Sequence, residues 1–166
     1  LYEQTGDLQA VARLAQISID REDYDQALKF LLLLDQADDE NLNVRVKIGL
    51  IYVERKKYDK AIEVFKSILE KNEEADKVRY YLASVYEETQ QLDDASREFR
   101  KIAENVSADE SLGVDSALHY AQILKSQDKP DAALKWIKEA MSRTSKVIQF
   151  YLFEASIYED TKQIAE

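Results

Sequence analysis

Side chains able to support catalysis or to bind a metal are few in this chain. It has 166 residues, with His119 as the only histidine and no cysteine. Thiolate and multi-histidine metal sites are therefore excluded, and His119 lacks Ser and Asp partners at the spacing of a hydrolytic triad. Glycine-rich phosphate loops and the HExxH and GxSxG motifs are also absent. We interpret His119 as a structural or surface histidine, and we predict no catalytic residue, no metal and no cofactor.

Carboxylates are the abundant ionisable groups. The chain has 33 Asp+Glu against 23 Lys+Arg, which gives a formal net charge of -10. The adjacent acids Asp38-Asp39 and Glu73-Glu74 could attract a cation, but they separate apolar segments, so we interpret them as solvated connections. The negative charge disfavours duplex nucleic acid as a partner, because phosphate contacts need a cationic face. No apolar run approaches the ~20 residues of a membrane span.

The elements that position these groups follow a repeated pattern of small and apolar residues. Alanine recurs 34 residues apart at Ala27, Ala61 and Ala95, and then 38 residues later at Ala133. We expect the four extra residues to lengthen the connection before the fourth copy. With 3 Gly and 1 Pro the chain has too few turn residues for an all-β fold. The apolar spacing of three and four residues within each copy is that of a helix.

Each copy predicts two helices. We expect helix pairs at about 8–21 with 24–37, 42–55 with 58–71, 76–89 with 92–105 and 114–127 with 130–143, and a single helix at about 148–161. Asp25, Asp59, Asp93 and Asp131 recur at the start of the second helices, where a carboxylate accepts free backbone N–H groups and favours the helix dipole. Pro130 fits the first turn of the second helix in the fourth copy, where its missing N–H costs nothing. Thr161 to Glu166 has the look of a further helix that begins and is cut short.

The pattern resembles the tetratricopeptide repeat family, whose period is 34 residues. The second copy carries Ile48, Gly49, Tyr52, Ala61 and Phe65 in the family frame. The initial aromatic of the frame is replaced by Val11, Arg45, Arg79 and Ala117, and returns as Tyr151. The resemblance implies an all-α fold, an α-solenoid of antiparallel helix pairs in one domain, and we expect these residues to be a segment of a longer chain. Repeats are expected at about 8–41, 42–75, 76–113 and 114–147, with a partial repeat at 148–166.

Within this resemblance the small and aromatic residues have packing roles. The columns expected to let paired helices approach closely are Ala15, Gly49, Ala83, Ala121 and Ala155, and Ala27, Ala61, Ala95 and Ala133. Tyr24, Tyr52, Tyr58, Tyr86 and Tyr158 are interpreted as packing residues, and Trp136 as a core or rim residue.

The resemblance further implies that the first helices line a concave face that meets a ligand. The positions carried over are Ala12, Gln16, Ile19, Val46, Leu50, Val53, Tyr80, Ser84, Glu87, Leu118, Gln122, Lys125, Leu152, Ser156 and Glu159. Of these we assign to a partner-binding groove Ile19, Val46, Leu50, Val53, Tyr80, Ser84, Leu118 and Gln122. Its apolar members, from Ile19 to Tyr80, would form a strip, and exposed apolar patches with polar rims usually mark interaction sites. The alternative is that they pack within a tight inner curve or are covered by another part of the full protein.

A row of acids falls near the carboxyl ends of the first helices, where the helix dipole disfavours negative charge. Its members are Asp20, Glu54, Glu87, Glu88, Glu159 and Asp160. We expect Arg21 and Arg55 to offset two of them. The row is either a solvated edge or a rim that selects basic segments and speeds their encounter.

The last predicted helix carries apolar residues around more of its circumference than one neighbouring helix can cover. We therefore predict that Phe150 or Phe153 lies at an interface, either with chain beyond Glu166 or in a homodimer. The alternative is that these aromatic residues pack on helix 130–143 within a monomer.

Taken together, these features predict a non-enzymatic interaction module that binds a basic or amphipathic peptide or protein segment in the groove. Two alternatives stay open: a structural assembly subunit that stacks through its terminal repeat, and a docking or regulatory domain of a larger protein. The sequence leaves the compartment open between cytoplasm and bacterial envelope.

Overall fold

The computed structural model describes residues 7–104, 111–144 and 147–165, and the side chains of the last helix as far as Asp160. Helices, and no strands, make up the regular structure of these ranges. They are α1 (Leu8–Asp20), α2 (Tyr24–Ala37), α3 (Leu42–Glu54), α4 (Tyr58–Lys71), α5 (Asp76–Glu88), α6 (Leu92–Ala103), α7 (Ser111–Ser126), α8 (Pro130–Arg143) and α9 (Ile148–Ala165). Within each unit, helices adjacent in the sequence pack on one another, as α1 does on α2 and α7 on α8, which confirms the predicted all-α class built from helix pairs.

Most helices begin and end within two residues of the predicted bounds, and the exceptions are α7 and α9. α7 begins at Ser111 and has 16 residues, where α1, α3 and α5 each have 13. α7 is therefore three residues longer than the other first helices, and its buried residues include Gly113. Seven residues separate Ala103 from Ser111, where four separate Ala37 from Leu42, so the connection before the fourth copy is longer, as expected. α9 continues without a break to Ala165, so the prediction of a new helix from Thr161 is wrong.

A tight turn with one left-handed residue joins the two helices of each pair. The left-handed residues are Glu22, Lys56, Gln90 and Asp128, with φ between 54° and 61°. The amide after each one donates to a carbonyl in the last turn of the first helix, as from Asp23 to Ser18 (2.9 Å). Such six-to-one hydrogen bonds satisfy carbonyls that the helix end leaves free. The chain therefore reverses direction within three residues in every pair.

The second helices begin as predicted, but their caps differ from the prediction. Asp25, Asp59, Asp93 and Asp131 lie inside the first turn, where they favour the helix dipole. The cap of α2 is instead Asp23, whose carboxylate accepts from the Gln26 amide at 3.2 Å. Pro130 is the first residue of α8, in agreement with the prediction.

The chain divides into two compact units, one up to Val78 and the other from Arg79. In the first unit, the buried cluster consists of Ala15, Ala27, Leu28, Leu31, Ile48 and Ile51. Gly49 is needed at its position, because a Cβ there would lie 2.4 Å from Phe65 Cε1. The close helix approach predicted for this glycine is confirmed.

The second unit has a core to which α7, α8 and α9 all contribute. Its buried members are Ala103, Val114, Ala117, Ala121, Ala133, Trp136, Ile137, Ala140, Phe150 and Ile157. Trp136 lies edge-on to Tyr120, with ring centroids 4.8 Å apart, which confirms its core role.

Two members of the predicted packing columns, both on α9, are exposed. Ala155 is exposed because α9 continues as one helix to Ala165 and, among the residues that the structure describes, no second helix of its repeat packs on that column. Tyr158 is likewise exposed, and its hydroxyl accepts from Lys138 Nζ at 3.1 Å. The other alanines of both columns are buried, as are Gly49 and Tyr86, and Tyr24, Tyr52 and Tyr58 are half-buried.

Candidate binding site

The second unit contains an open apolar cleft between α7 and α9. It has a volume of about 450 Å³ and is lined by Leu118, His119, Gln122, Gln149, Leu152 and Phe153. Leu152 is 66% exposed, although one flank of its helix is buried through Phe150 and Ile157. The structure thus brings together Leu118, Gln122 and Leu152, three positions carried over to the concave face, of which the first two were assigned to the groove.

His119 connects the cleft to α5 through a chain of polar contacts. Its Nδ1 lies 2.9 Å from Glu87 Oε2, and its Nε2 lies 3.3 Å from the Tyr80 hydroxyl. A carboxylate only accepts, so Nδ1–H donates to Glu87, and the contact of Nε2 with the Tyr80 hydroxyl extends the chain to α5. The imidazole also stacks on Phe99, with centroids 4.7 Å apart and planes within 10°. Contacts with α5 and α6 therefore fix the orientation of His119, which agrees with its interpretation as a structural histidine.

Tyr80 is held in the same cluster in its protonated form. Burial raises the pKa of the Tyr80 phenol, and the carboxylates of Asp115 and Glu87 raise it further. Its ring meets Phe99 edge-on at 5.5 Å and His119 edge-on at 5.9 Å. Of the predicted groove residues, Tyr80 thus packs against its neighbours, while Ser84 donates its hydroxyl to the Tyr80 carbonyl within α5.

A second polar contact joins α7 to α9 on the other side of the cleft. Lys125 Nζ lies 2.5 Å from Asp160 Oδ2 and 3.4 Å from Ser156 Oγ. The same ammonium is 5.8 Å from the centroid of the Phe153 ring. The positive charge of Lys125 is therefore balanced by Asp160, and Asp160 is a paired member of the predicted acidic row.

The comparisons with known proteins agree with this architecture. Residues 52–113 match the family model described as tetratricopeptide repeat. This match and the fold support the resemblance to the tetratricopeptide repeat family. No curated protein matches it.

Solved structures with this repeat architecture cover nearly all of the chain. A crystal structure of MamA protein aligns over 93% of this chain and 82% of its own, with a TM-score of 0.73 and 18% identity. A MamA fragment from Desulfovibrio magneticus RS-1 aligns over 93% of this chain and 85% of its own, with a TM-score of 0.72 and 12% identity. A tetratricopeptide repeat protein from Parabacteroides merdae aligns over 95% of this chain and 60% of its own, with a TM-score of 0.69 and 19% identity. At these identities the likeness shows the fold alone. The tetratricopeptide repeat fold supports a protein-interaction scaffold in general.

In the first unit, the predicted groove residues are less open. Ile19, Val46, Leu50 and Val53 are all half-buried, and Ile19 packs on the buried cluster of that unit. Lys47 Nζ donates to Gln16 Oε1 at 3.0 Å between α3 and α1. Packing within the unit therefore explains Ile19, and the remaining three keep part of their surface exposed.

The acidic row is divided between paired and exposed groups. Glu87 and Asp160 are paired as described, and Asp20 accepts from Gln16 Nε2 at 2.8 Å. Arg55, which was expected to offset one acid of this row, pairs with Asp25 of α2, outside the row. Glu54, Glu88 and Glu159 are exposed.

The predicted terminal interface is wrong for Phe150. That side chain is fully buried in the core of the second unit, because it lies on the flank of α9 that faces α7 and α8. Phe153 is half-buried and lines the cleft. The exposed apolar surface of α9 is instead formed by Ile148, Tyr151, Leu152 and Tyr158.

One buried ion pair was not predicted. Arg79, at a position where the repeat frame has an aromatic residue, lies 2.7 Å from Glu98, and their side chains are 7% and 11% exposed. Arg45, 34 residues earlier, likewise pairs with Asp35 at 3.0 Å. In both pairs, an arginine replaces the aromatic residue of the frame and an acid lies on a second helix. This combination could have predicted the two ion pairs from the sequence.

Across residues 7–104, 111–144 and 147–165, no group of three His, Asp or Glu side chains is placed to hold a metal ion. No helix in that part of the chain is long and apolar enough to cross a membrane.

Proposed function

We propose that this chain is a non-enzymatic protein-interaction module whose cleft between α7 and α9 binds a segment of a protein partner. The cleft itself carries the proposal. Leu118, Leu152 and Phe153 supply apolar walls, and the amides of Gln122 and Gln149 supply donors and acceptors at the edge. This mixture of apolar surface and a few polar groups is typical of sites that bind an apolar side chain and the adjoining backbone.

The charge around the cleft favours a basic or amphipathic partner. The whole chain carries a formal charge of -10. Lys125, the cation beside the cleft, is balanced by Asp160, whereas Glu159 is exposed on the same helix end. A negative surface speeds the approach of a positive partner and selects against acidic ones.

A peptide-library selection tests the proposal. Random dodecamers displayed on phage would be selected against the wild-type chain and counter-selected against Leu152→Glu. The matched control is Leu32→Glu, which places the same charge at an apolar residue of α2 that is 41% exposed and lies outside the cleft. We expect peptides that bind the wild type and Leu32→Glu, but not Leu152→Glu, because a carboxylate in the apolar wall must be desolvated on binding.

Dependence on Leu152 decides the outcome. Peptides that bind Leu152→Glu as tightly as the wild type would show that the cleft is not the binding surface. Circular dichroism of both variants ensures that the comparison concerns folded chains.

A second candidate function is self-assembly through the exposed face of α9. Ile148 is 70% exposed and Tyr151 is 49% exposed, and neither lines the cleft. Sedimentation equilibrium of the wild type and Ile148→Glu separates the candidates. Self-assembly requires a wild-type dimer that Ile148→Glu disrupts, whereas binding in the cleft requires no dimer.

A further inference from the structure

We propose that Glu87 accepts a basic side chain of the bound segment, and that His119 competes with that side chain for the same carboxylate. The inference rests on the proposed function of the cleft. It names the partner chemistry, an apolar anchor residue close to a lysine or arginine, and it makes binding dependent on pH.

The geometry connects Glu87 to the cleft through His119. His119 lines the cleft, and its Nδ1 is 2.9 Å from Glu87 Oε2. Their side chains are 38% and 30% exposed, so solvent and ligand atoms can reach both. A segment whose apolar side chain lies between Leu118 and Leu152 has His119 beside it on α7. A basic residue next to that anchor can therefore reach Glu87.

The groups around His119 come from four helices. From α5 it faces Glu87 and the Tyr80 hydroxyl, and from α6 the uncharged Phe99 ring. On its own helix, Asp115 lies one turn earlier and, like Glu87, acts on Tyr80. The α9 residues that share the cleft with it, Gln149 and Phe153, are uncharged. The surroundings of His119 thus contain two carboxylates and a phenol held in its protonated form.

The sign of the pH effect follows from this arrangement. A neutral imidazole donates one hydrogen bond to Glu87, which a lysine or arginine of the ligand can replace with a charge-assisted one. A protonated imidazole holds Glu87 more strongly and repels the incoming cation. Histidine side chains change charge between pH 5 and 8. Binding of a basic segment should therefore weaken as the pH falls.

The test uses the peptides selected on the wild-type chain at pH 7.5. Histidine-containing peptides are set aside, and each remaining peptide is also made with its lysines and arginines replaced by glutamine. Fluorescence anisotropy then gives dissociation constants at pH 7.5 and 5.5 for the wild type, His119→Gln, Glu87→Gln and Leu152→Glu. Glutamine at residue 119 keeps a hydrogen-bond donor for Glu87 but does not titrate.

We expect the selected peptides to bind the wild type roughly tenfold more weakly at pH 5.5, the worth of one charge-assisted contact. His119→Gln should bind equally at both values, the glutamine peptides should lose the preference for pH 7.5, and Glu87→Gln should weaken the binding of the basic peptides at pH 7.5. An unchanged pH dependence in His119→Gln, or equal binding of the basic and glutamine peptides, would overturn the inference while the cleft stands. If no peptide depends on Leu152, the proposed function fails and the inference fails with it.

Discussion

Replacing Glu98 with leucine should destabilise the second unit far more than an ordinary surface substitution. Glu98 Oε2 lies 2.7 Å from Arg79 Nη1, and both side chains are close to fully buried. Removing one member of such a pair costs about 3–5 kcal/mol, because the remaining charge stays in a low-dielectric environment. We expect the Glu98→Leu change to cost about 3–4 kcal/mol, near the lower end of that range, since part of each group still reaches solvent.

Arg79→Met should also destabilise the second unit, by about 2–3 kcal/mol. Glu98 also accepts from Lys101 Nζ at 3.3 Å, and Lys101 is half exposed, so the carboxylate keeps a counter-charge when the arginine is removed. The double variant replaces both charges with apolar side chains of similar size, which is often close to neutral for a buried pair. The two single costs should therefore exceed the cost of the double variant by about 2 kcal/mol or more.

Urea denaturation followed by circular dichroism gives the four free energies of unfolding. A matched control lies on the same helix: Arg97 and Asp94 are paired at 2.8 Å, but Arg97 is 61% exposed. Arg97→Met should cost less than ~0.5 kcal/mol, as exposed pairs contribute little. If Glu98→Leu costs no more than Arg97→Met, or if the two single costs simply add, burial does not set the strength of the Arg79–Glu98 interaction.

Two further predictions concern the first unit. Gly49→Ala should lower the free energy of unfolding by about 1–2 kcal/mol, because the new Cβ would lie 2.4 Å from the buried Phe65 ring and the resulting strain outweighs the gain in helix propensity. A variant that is more stable than the wild type in urea would contradict this. Lys57→Asp should raise the free energy of unfolding by about 1 kcal/mol. Lys57 caps α4 without a side-chain hydrogen bond, and its backbone angles are close to those of Asp23, which caps α2. Asp23→Ala should lower the free energy of unfolding by a similar amount, and the control Lys57→Ala should leave it unchanged.

Helix bounds were predictable because the repeat fixes them several times over. A column such as Ala27, Ala61 and Ala95 gives the same register three times, so a wrong helix bound in one copy is revealed by comparison with the others. Where the period breaks, before α7, the prediction missed three residues. An insertion can extend a helix or a loop, and its composition alone does not decide between them. On α9 no later copy was present to fix where the helix ends.

The candidate site was predictable only in part. Column positions correctly placed Leu118, Gln122 and Leu152 on one face, because helical spacing decides which residues share a face. The contact of His119 with Glu87 could not be predicted, since it joins side chains 32 residues apart and depends on their rotamers. Phe150 failed for a related reason: a helix that is apolar on several sides does not reveal which side its neighbours cover.

The contacts at the cleft also link ligand binding to the cohesion of the second unit. Glu87 and His119 join α5 to α7, and Lys125 and Asp160 join α7 to α9, so each pair connects the first helices of consecutive repeats. A ligand that takes Glu87 from His119 gives up one of these connections, whereas apolar contacts to Leu118 and Leu152 add a new one. The measured affinity is the difference between the two effects. If the proposal is correct, the apolar anchor must provide most of the binding free energy. The exchange at Glu87 then determines whether a basic residue beside the anchor is accepted, and at which pH.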